Sequence, residues 1–563
     1  MAQALKSLIS IAVLLSGVAA TACVLFGHSS PAAAQAATPK DRCAALADTY
    51  LDQVEIEGAN TQPAGATVAG AMIPDPTGQG PGTPIVGLPA FCRVSGHIHP
   101  EPGSDIRFET WMPSAGWDGG FTGVGNGGFA GPINYADLAG AVRAGRAGVS
   151  TDTGHSGNGI ESSWANGHPE RIRDYGWRAV HLSTLAAKQL VAKYYGRAPV
   201  HPLFMSCSNG GRQGLMEASR FPEDYDGVMA GAPAAEFSEM SMSMLWAIQV
   251  QLPPGAAIRP EQAPLLQSEV IKQCDALDGQ TDGLIADPRK CKINVAELAC
   301  GAAASPQCLT PLQLDALKKI YAGPHDAAGH QVVPAFLPGG AEGIGSGGWG
   351  GWIFARKTFP AIDSFFPAGL LKDFVAKPFA DVASFNFNKD PARLRAAVGP
   401  DLDVQPNLRR FFDRGGKLIL WHGWADAAIV PEATLQFHEA VLRTSGDQAK
   451  HSMRLFMVPG LQHCFGGAGP TDFGQMGVPS PSDTPERNIS AALQAWVEKG
   501  RVPESVVVRK EVILTESTEV SPSAPKKASS GTSERLICAW PAWSALQPGA
   551  DPDKASSYKC RNQ

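Results

Sequence analysis

Apolar and polar positions alternate in a strand-and-helix rhythm over two stretches of the chain, separated by a long interval where the rhythm is lost. Residues 106–112 repeat with a period of two, the mark of a strand. Residues 138–146 have helical spacing and lead into a short apolar strand at 147–150. In residues 177–194, Trp177, Val180, Ala187 and Val191 share one helical stripe with Thr184 its single polar member, which predicts a helix covering a sheet face. Leu203, Phe204 and Met205 form an apolar run suited to a buried strand, and a sharp turn at 206–211 opens the helical pattern 212–220. Residues 228–233 read as another short strand and stop. Strand, helix and strand in succession imply a parallel sheet with right-handed crossovers, an α/β fold.

The rhythm breaks over residues 234–404, where helical pieces, four cysteines, a glycine-rich loop at 339–351 and an aromatic-rich stretch at 352–385 follow no regular order. Such an interval reads as an insertion of about 170 residues on the C-terminal edge of the sheet, forming a lid domain. Alternation resumes with a buried strand at 417–421, a helix at 433–442, a strand at 453–458 and a helix at 489–498. The expected division is a leader at 1–36, a catalytic domain in two parts (37–233 and 405–563), and the lid between them. Residues 37–105 read as an Ala-, Pro- and Gly-rich arm.

Composition narrows the class. The chain has 563 residues, 44% hydrophobic and 18% charged, with a net charge of −6 and no basic run, so nothing favours nucleic acid. Lys6, the apolar segment 8–26 and the small residues ending Ala34-Gln35-Ala36 fit an export signal cleaved near Ala36; a retained membrane anchor is the alternative. Removing that segment, with Cys23, leaves ten of eleven cysteines, an even number that argues for disulfides in a secreted or periplasmic protein. No CxxC pair points to structural zinc.

Candidate chemistry centres on Ser206-Cys207-Ser208-Asn209-Gly210-Gly211. A serine on a strand-to-helix turn stands clear of the sheet edge, and the amide of the next residue, Asn209, can meet the oxyanion that forms when it attacks a carbonyl. Ser206 stands where such a nucleophile elbow ordinarily has glycine. Asp426 is the only carboxylate immediately beyond strand 417–421, and His463 the only histidine beyond strand 453–458. Nucleophile, acid and base in that chain order match the α/β-hydrolase arrangement. Cys207 precedes Ser208 and Cys464 follows His463, so a bridge between them would hold the two loops together across more than 250 residues. A free Cys207 acting as nucleophile, or two buried thiols, are the other readings. The stretch 121–131, with five glycines, is either an oxyanion loop or a plain surface loop.

Cys274, Asp275, Asp278, Gly279, Asp282, Gly283 and Asp287 crowd four carboxylates into one short loop. Hard oxygen ligands with glycines at the turns suit Ca²⁺, though the pattern is not an EF-hand, and a solvated acidic loop is the plain alternative.

Taken together, Cys207-Ser208-Asn209-Gly210-Gly211-Arg212, Phe221-Pro222-x-x-Tyr225-Asp226-Gly227, Cys274-Asp275-x-x-Asp278-Gly279, His422-Gly423-x-x-Asp426 and Pro459-Gly460-x-x-His463-Cys464 resemble the tannase and feruloyl esterase family, which includes bacterial mono(2-hydroxyethyl) terephthalate hydrolases. The resemblance spans essentially the whole mature chain. It implies an α/β-hydrolase fold with a lid, a Ser208, Asp426, His463 triad, and oxyanion donors at Asn209 and Gly128. It implies a structural Ca²⁺ held by Asp275, Asp278 and Asp282 with the carbonyls of Gln280 and Leu284. Its cysteine pairing is Cys43–Cys92, Cys207–Cys464, Cys274–Cys291, Cys300–Cys308 and Cys538–Cys560.

The expected activity is a feruloyl esterase-like hydrolysis of hydroxycinnamate or gallate esters, free or attached to plant polysaccharide or a polymer fragment. A terephthalate monoester hydrolase is the alternative, for which Arg356 is the available partner of the free carboxylate. A catalytically dead hydrolase fold serving as a secreted binding protein is the reading of another class. Trp349, Trp352, Phe354, Phe359, Phe365 and Phe366 are candidate packing surfaces for an aromatic acyl group, or the lid's own core.

Overall fold

A computed structural model describes residues 38–562 except 74–82, 302–304, 306, 344–346, 356–359, 378, 476–483 and 512–531. The expected export signal, Arg356 and Phe359 lie outside the described residues.

Strands follow the chain as β1 (Val54–Gln62), a small pair β2 (Met72–Ile73) and β3 (Thr83–Pro84), β4 (Phe91–Ile98), β5 (Ile106–Pro113), β6 (Phe121–Val124), β7 (Ala147–Thr151), β8 (Pro202–Cys207), β9 (Gly227–Gly231), β10 (Lys417–Gly423) and β11 (Met453–Val458). Nine of these make one sheet in the order β1-β4-β5-β7-β6-β8-β9-β10-β11. From β7 to β11 every pairing is parallel, while β1, β4 and β5 add an antiparallel flank. Helices Tyr135–Arg143, Ala179–Tyr195, Asn209–Arg220, Pro431–Thr444 and Ile489–Lys499 cover the two faces.

The central strands are apolar on both sides because both sides are covered. In β10, Leu418 and Leu420 enter one core with Phe204, Val228 and Leu435, whereas Ile419 and Trp421 enter the other with Leu203, Met229, Leu493 and Trp496. Glycine at position 231 in β9 is required by this packing, since a Cβ there would lie 2.0 Å from the Trp421 ring.

Two regions depart from the sequence reading. The arm at 37–105 contributes β1 and β4, the antiparallel flank, tied at its base by the Cys43–Cys92 disulfide. The tail forms two further pairs, β12 (Ser505–Glu511) with β13 (Thr532–Cys538) and β14 (Trp543–Leu546) with β15 (Tyr558–Arg561). Between β9 and β10, helices Phe237–Gln249, Ala263–Cys274, Pro311–Ala322, Phe365–Asp373 and Asp390–Leu402 form a helical layer. Its inner core is shared with the loops that follow β6 and β10: Phe237, Met244, Phe366 and Leu370 pack with Phe129, Ala428 and Ile429. Among the described residues, no helix is long and apolar enough to cross a membrane.

Candidate active site

β8 ends at Cys207 and the helix Asn209–Arg220 starts two residues later, so Ser208 alone makes the turn. Its backbone sits at φ 63° and ψ −133°, a region that non-glycine residues avoid and that is held only when the surroundings over-determine it. They do so here: the Ser208 amide donates to the Gly231 carbonyl of β9 at 2.9 Å, and the Ser208 carbonyl accepts from Arg212 N at 3.1 Å. The helix approaches the strand closely because Gly210 and Gly211 lack side chains. A Cβ on Gly210 would fall 2.0 Å from Ser206 Oγ. Serine at 206 thus fits where glycine is usual because its hydroxyl occupies the space left by Gly210 and Gly125.

The loops after β10 and β11 bring Asp426 and His463 to this turn. Ser208 Oγ lies 2.9 Å from His463 Nε2, and His463 Nδ1 lies 2.8 Å from Asp426 Oδ2. A carboxylate only accepts, so Nδ1 carries the proton and Nε2 presents its lone pair to the serine hydroxyl. Asp426 Oδ1 accepts from the amides of Ala428 and Ile429 at 2.8 and 2.9 Å, which aims Oδ2 at the imidazole. His422 is a second partner, its Nε2 3.1 Å from Asp426 Oδ2 and its Nδ1 2.7 Å from Thr434 Oγ1. Burial by itself would raise the Asp426 carboxyl, but the charge of His463 and hydrogen bonds from His422 and His463 outweigh it and hold the group well below the usual carboxylate range. Asp363, from the helical layer, is fully buried with neither carboxylate oxygen bonded; burial and then the Asp426 charge push it well above its ordinary value.

Disulfides join Cys43–Cys92, Cys207–Cys464, Cys274–Cys291, Cys300–Cys308 and Cys538–Cys560. The second links the residues flanking Ser208 and His463.

Gly128 belongs to the loop after β6 and has φ 55°; a Cβ there would lie 2.1 Å from the Gly159 carbonyl oxygen, so only glycine fits. Among the described residues, neither the Gly128 nor the Asn209 amide has an acceptor within the protein. The Tyr175 hydroxyl bridges the two residues, 2.9 Å from the Gly128 carbonyl oxygen and 3.1 Å from Asn209 Oδ1. His155 Nε2 donates to the Phe129 carbonyl at 2.8 Å, with its ring stacked on Trp164. Arg212, fully buried, donates from Nε to Asn209 Oδ1 at 2.8 Å and from its other nitrogens to the carbonyls of Tyr175, Gly176 and Leu402. The sequence carried no signal for Tyr175 or His155, because their segments meet the glycine loop only in the folded chain.

A pocket of about 330 Å³, part of it open to solvent, is lined by Ser208, Gly128, Asn209 and His463 and by Phe237, Met240, Met244, Trp352, Phe366 and Ile429. Of the aromatic residues singled out in the sequence, Trp352 and Phe366 line it, and Trp352 also meets the His463 ring edge-on at 5.3 Å. Trp349 and Phe354 instead fill the core of the helical layer with Phe336 and Ile353, and Phe365 does not line the pocket.

In the acidic loop, Asp275 Oδ atoms accept from Gly283 N, Asp278 Oδ1 from Gln280 N and Asp282 Oδ1 from Leu284 N. Asp282 also pairs with Arg535. Burial, with the neighbouring charge of Asp282, raises the carboxyls of Asp275 and Asp278. Leu284 packs against Gly460 and Gly469, the flanks of the His463 loop. Among the described residues, the groups whose side-chain donor atoms already lie close enough to hold a metal ion are His97 with His99 and Asp105, and His181 with Glu217 and Asp224; the side chains of Asp275, Asp278 and Asp282 do not form such a group.

Similar proteins share this architecture. A probable feruloyl esterase B-2 of Aspergillus flavus is 31% identical over 90% of this chain and 94% of its own. A mono(2-hydroxyethyl) terephthalate hydrolase of Piscinibacter sakaiensis is 31% identical over 74% of this chain and 78% of its own. The crystal structure of feruloyl esterase B from Aspergillus oryzae superposes with a TM-score of 0.79 at 25% identity, covering 93% of this chain and all of that one. The family model described as tannase and feruloyl esterase matches residues 92–561. With an α/β-hydrolase sheet and a serine on its elbow, the chain is a carboxylic ester hydrolase and belongs to the tannase and feruloyl esterase family.

Proposed function

We propose that this chain hydrolyses esters of planar aromatic acids in the manner of a feruloyl esterase, with Ser208, His463 and Asp426 as its triad. Substrate enters the apolar pocket and sets its carbonyl carbon against Ser208 Oγ. His463 Nε2 takes the hydroxyl proton as the C–O bond forms, Asp426 stabilises the resulting imidazolium, and the amides of Asn209 and Gly128 hold the oxyanion. The tetrahedral species collapses as His463 returns that proton to the leaving alcohol. Water, deprotonated by His463, then attacks the acyl-enzyme and releases the acid and Ser208.

The observation that carries the aromatic preference is the pocket wall of Phe237, Met240, Met244, Trp352 and Phe366 opening on Ser208. Among the described residues no lysine or arginine lines it. This apolar lining suits a neutral hydroxycinnamate or gallate ester; a terephthalate monoester needs a cation for its free carboxylate, and its candidate, Arg356, lies outside the described residues. The terephthalate reading is kept as second because of the similarity to the Piscinibacter sakaiensis enzyme. Rates on methyl ferulate, methyl gallate and mono(2-hydroxyethyl) terephthalate, each with wild type and Ser208→Ala, test both. A kcat/KM higher for the terephthalate would reverse the preference, and turnover by Ser208→Ala would remove the triad.

Export is supported by the disulfides, which form and persist in oxidising compartments; the mature enzyme then meets esters outside the cytosol, on plant polysaccharide or polymer fragments. For the acidic loop, carboxylates of Asp275, Asp278 and Asp282 with the carbonyls of Gln280 and Leu284 are a donor set suited to Ca²⁺. Bound there, calcium supplies charge neutralisation that fixes the loop. Because Leu284 packs on Gly460, fixing that loop also steadies the His463 loop.

A further inference from the structure

The β4–β5 hairpin gathers two imidazoles and two carboxylates that the ester chemistry does not use. His97 in β4 and His99 just beyond it are two residues apart, so their side chains leave the backbone on one face. Their rings lie 12° from parallel with centroids 6.0 Å apart. Asp105, across the hairpin turn, places Oδ1 2.6 Å from His97 Nδ1 and 3.7 Å from His99 Nδ1. Glu55 is paired opposite His97 from β1, and its Oε2 lies 3.8 Å from His99 Nε2, the other ring nitrogen. One donor atom from each of His97, His99 and Asp105 lies within 4.8 Å of the others. A hydrogen bond from His97 to Asp105 explains the 2.6 Å contact. It does not explain a second imidazole turned to the same oxygen, with a carboxylate behind it.

We propose that His97, His99 and Asp105 bind a first-row transition-metal dication, zinc or copper, through Nδ1, Nδ1 and Oδ1. Two imidazoles and one carboxylate suit these borderline ions and not calcium. A tetrahedral centre with bonds of about 2.0–2.2 Å sets its donors roughly 3.3–3.5 Å apart, so the side chains here need move by only about 1 Å. His99 and Asp105 are exposed and free to make that adjustment. Glu55 Oε2, 3.8 Å from His99 Nε2, is beyond hydrogen-bond reach here; a shift of about 1 Å on metal binding lets it accept the Nε2–H and select the tautomer whose Nδ1 lone pair faces the metal. Water completes the coordination. In the sheet, β4 is separated from the Ser208 strand by β5, β7 and β6, so the ion pins the antiparallel flank instead of touching the ester.

The test uses the untagged mature chain, titrated calorimetrically with zinc chloride in excess calcium. One zinc per chain is expected, with affinity at least tenfold weaker in His97→Ala and in His99→Ala and unchanged in Asp275→Asn. Copper(II) bound in place of zinc should give an electron paramagnetic resonance spectrum with two imidazole nitrogens, reduced to one in either histidine variant. Glu55→Gln should weaken zinc by about tenfold while keeping both nitrogens. Ester turnover in each variant shows that it is folded, and His99→Gln serves if the alanine variant is not. Zinc binding unchanged in the His97→Ala, His99→Ala double variant, or no binding by the wild type at millimolar zinc, overturns the site.

Discussion

Cys207 is bonded to Cys464, and the two half-cystines immediately flank Ser208 and His463. The loop they close spans 257 residues, so the chain-entropy contribution is about 5.5 kcal/mol. Its position matters more than its size, because the proposed mechanism moves a proton between the two residues it secures. A Cys207→Ala, Cys464→Ala variant should lose about tenfold or more in kcat well below its melting transition, where the fold is intact. Turnover equal to wild type at that temperature would reduce the bridge to a stabiliser. Peptide mapping without reduction should recover the two cysteines in one fragment.

Asp426→Asn keeps the shape of the acid but reverses which imidazole nitrogen is protonated. The expected cost is about 10³–10⁴ in kcat with KM little changed. Stability carries a second signature. The Asp426 carboxyl is held below its unfolded value of about 3.9, so its stabilisation is fully present above that pH and is lost as pH falls through the lower, folded value. Urea midpoints measured from pH 6 down to pH 2 should therefore fall less steeply for Asp426→Asn than for wild type. Parallel curves would mean that Asp426 is not held by His463 and His422 as described.

Calcium bound only by the folded chain raises its melting midpoint by mass action. Because Leu284 packs against Gly460, chelation should also reduce kcat, and Asp278→Asn should reproduce both effects. Elemental analysis without calcium, together with a midpoint unmoved by chelator, would leave Asp275, Asp278 and Asp282 as an acidic loop neutralised by Arg535 alone.

How far the sequence reached follows from how each signal is written. Strands β8 to β11 are legible because both their faces are covered, which forces continuous apolar runs such as Leu418-Ile419-Leu420-Trp421. β1 escapes because it is an edge strand, Val-Glu-Ile-Glu-Gly-Ala-Asn-Thr-Gln, with mostly half-exposed positions that need no apolar face. The methionine side of the pocket wall escapes for another reason: Met240, Met242 and Met244 alternate with serines in a period of two, yet they lie on one helix, Phe237–Gln249. There Met240 and Met244, four apart, share the face turned to Ser208. Ser208, Asp426 and His463 are legible because chain order and strand ends locate them. His422, which supports Asp426, stands in the local motif His422-Gly423-x-x-Asp426, whereas Tyr175 and His155, which hold the Gly128 loop, depend on contacts between distant segments that no local pattern records.

The proposed oxyanion geometry makes Tyr175 the residue to test. Its hydroxyl lies between the Gly128 carbonyl and Asn209 Oδ1, on the two residues whose amides are the proposed oxyanion donors. A phenol has one proton, so it donates to one of these oxygens at a time. Asn209 Oδ1 already accepts from Arg212 Nε, which leaves the Gly128 carbonyl as the partner that depends on Tyr175. In Tyr175→Phe the buried ring keeps its packing with Trp164, Phe237 and Phe374 while the Gly128 peptide loses its anchor. Loss of one buried hydrogen bond should cost about 1 kcal/mol of stability. Deleting an oxyanion donor outright costs about 10²–10³ in kcat, so loosening one should cost less, about tenfold. The loss should fall on kcat with KM nearly constant, since the oxyanion contact strengthens only in the transition state. A boronic acid that forms the tetrahedral adduct on Ser208 should weaken in parallel with kcat, whereas binding of the product acid should not change. If KM rises while kcat and the boronic acid affinity are preserved, Tyr175 shapes the pocket and does not position the oxyanion donors.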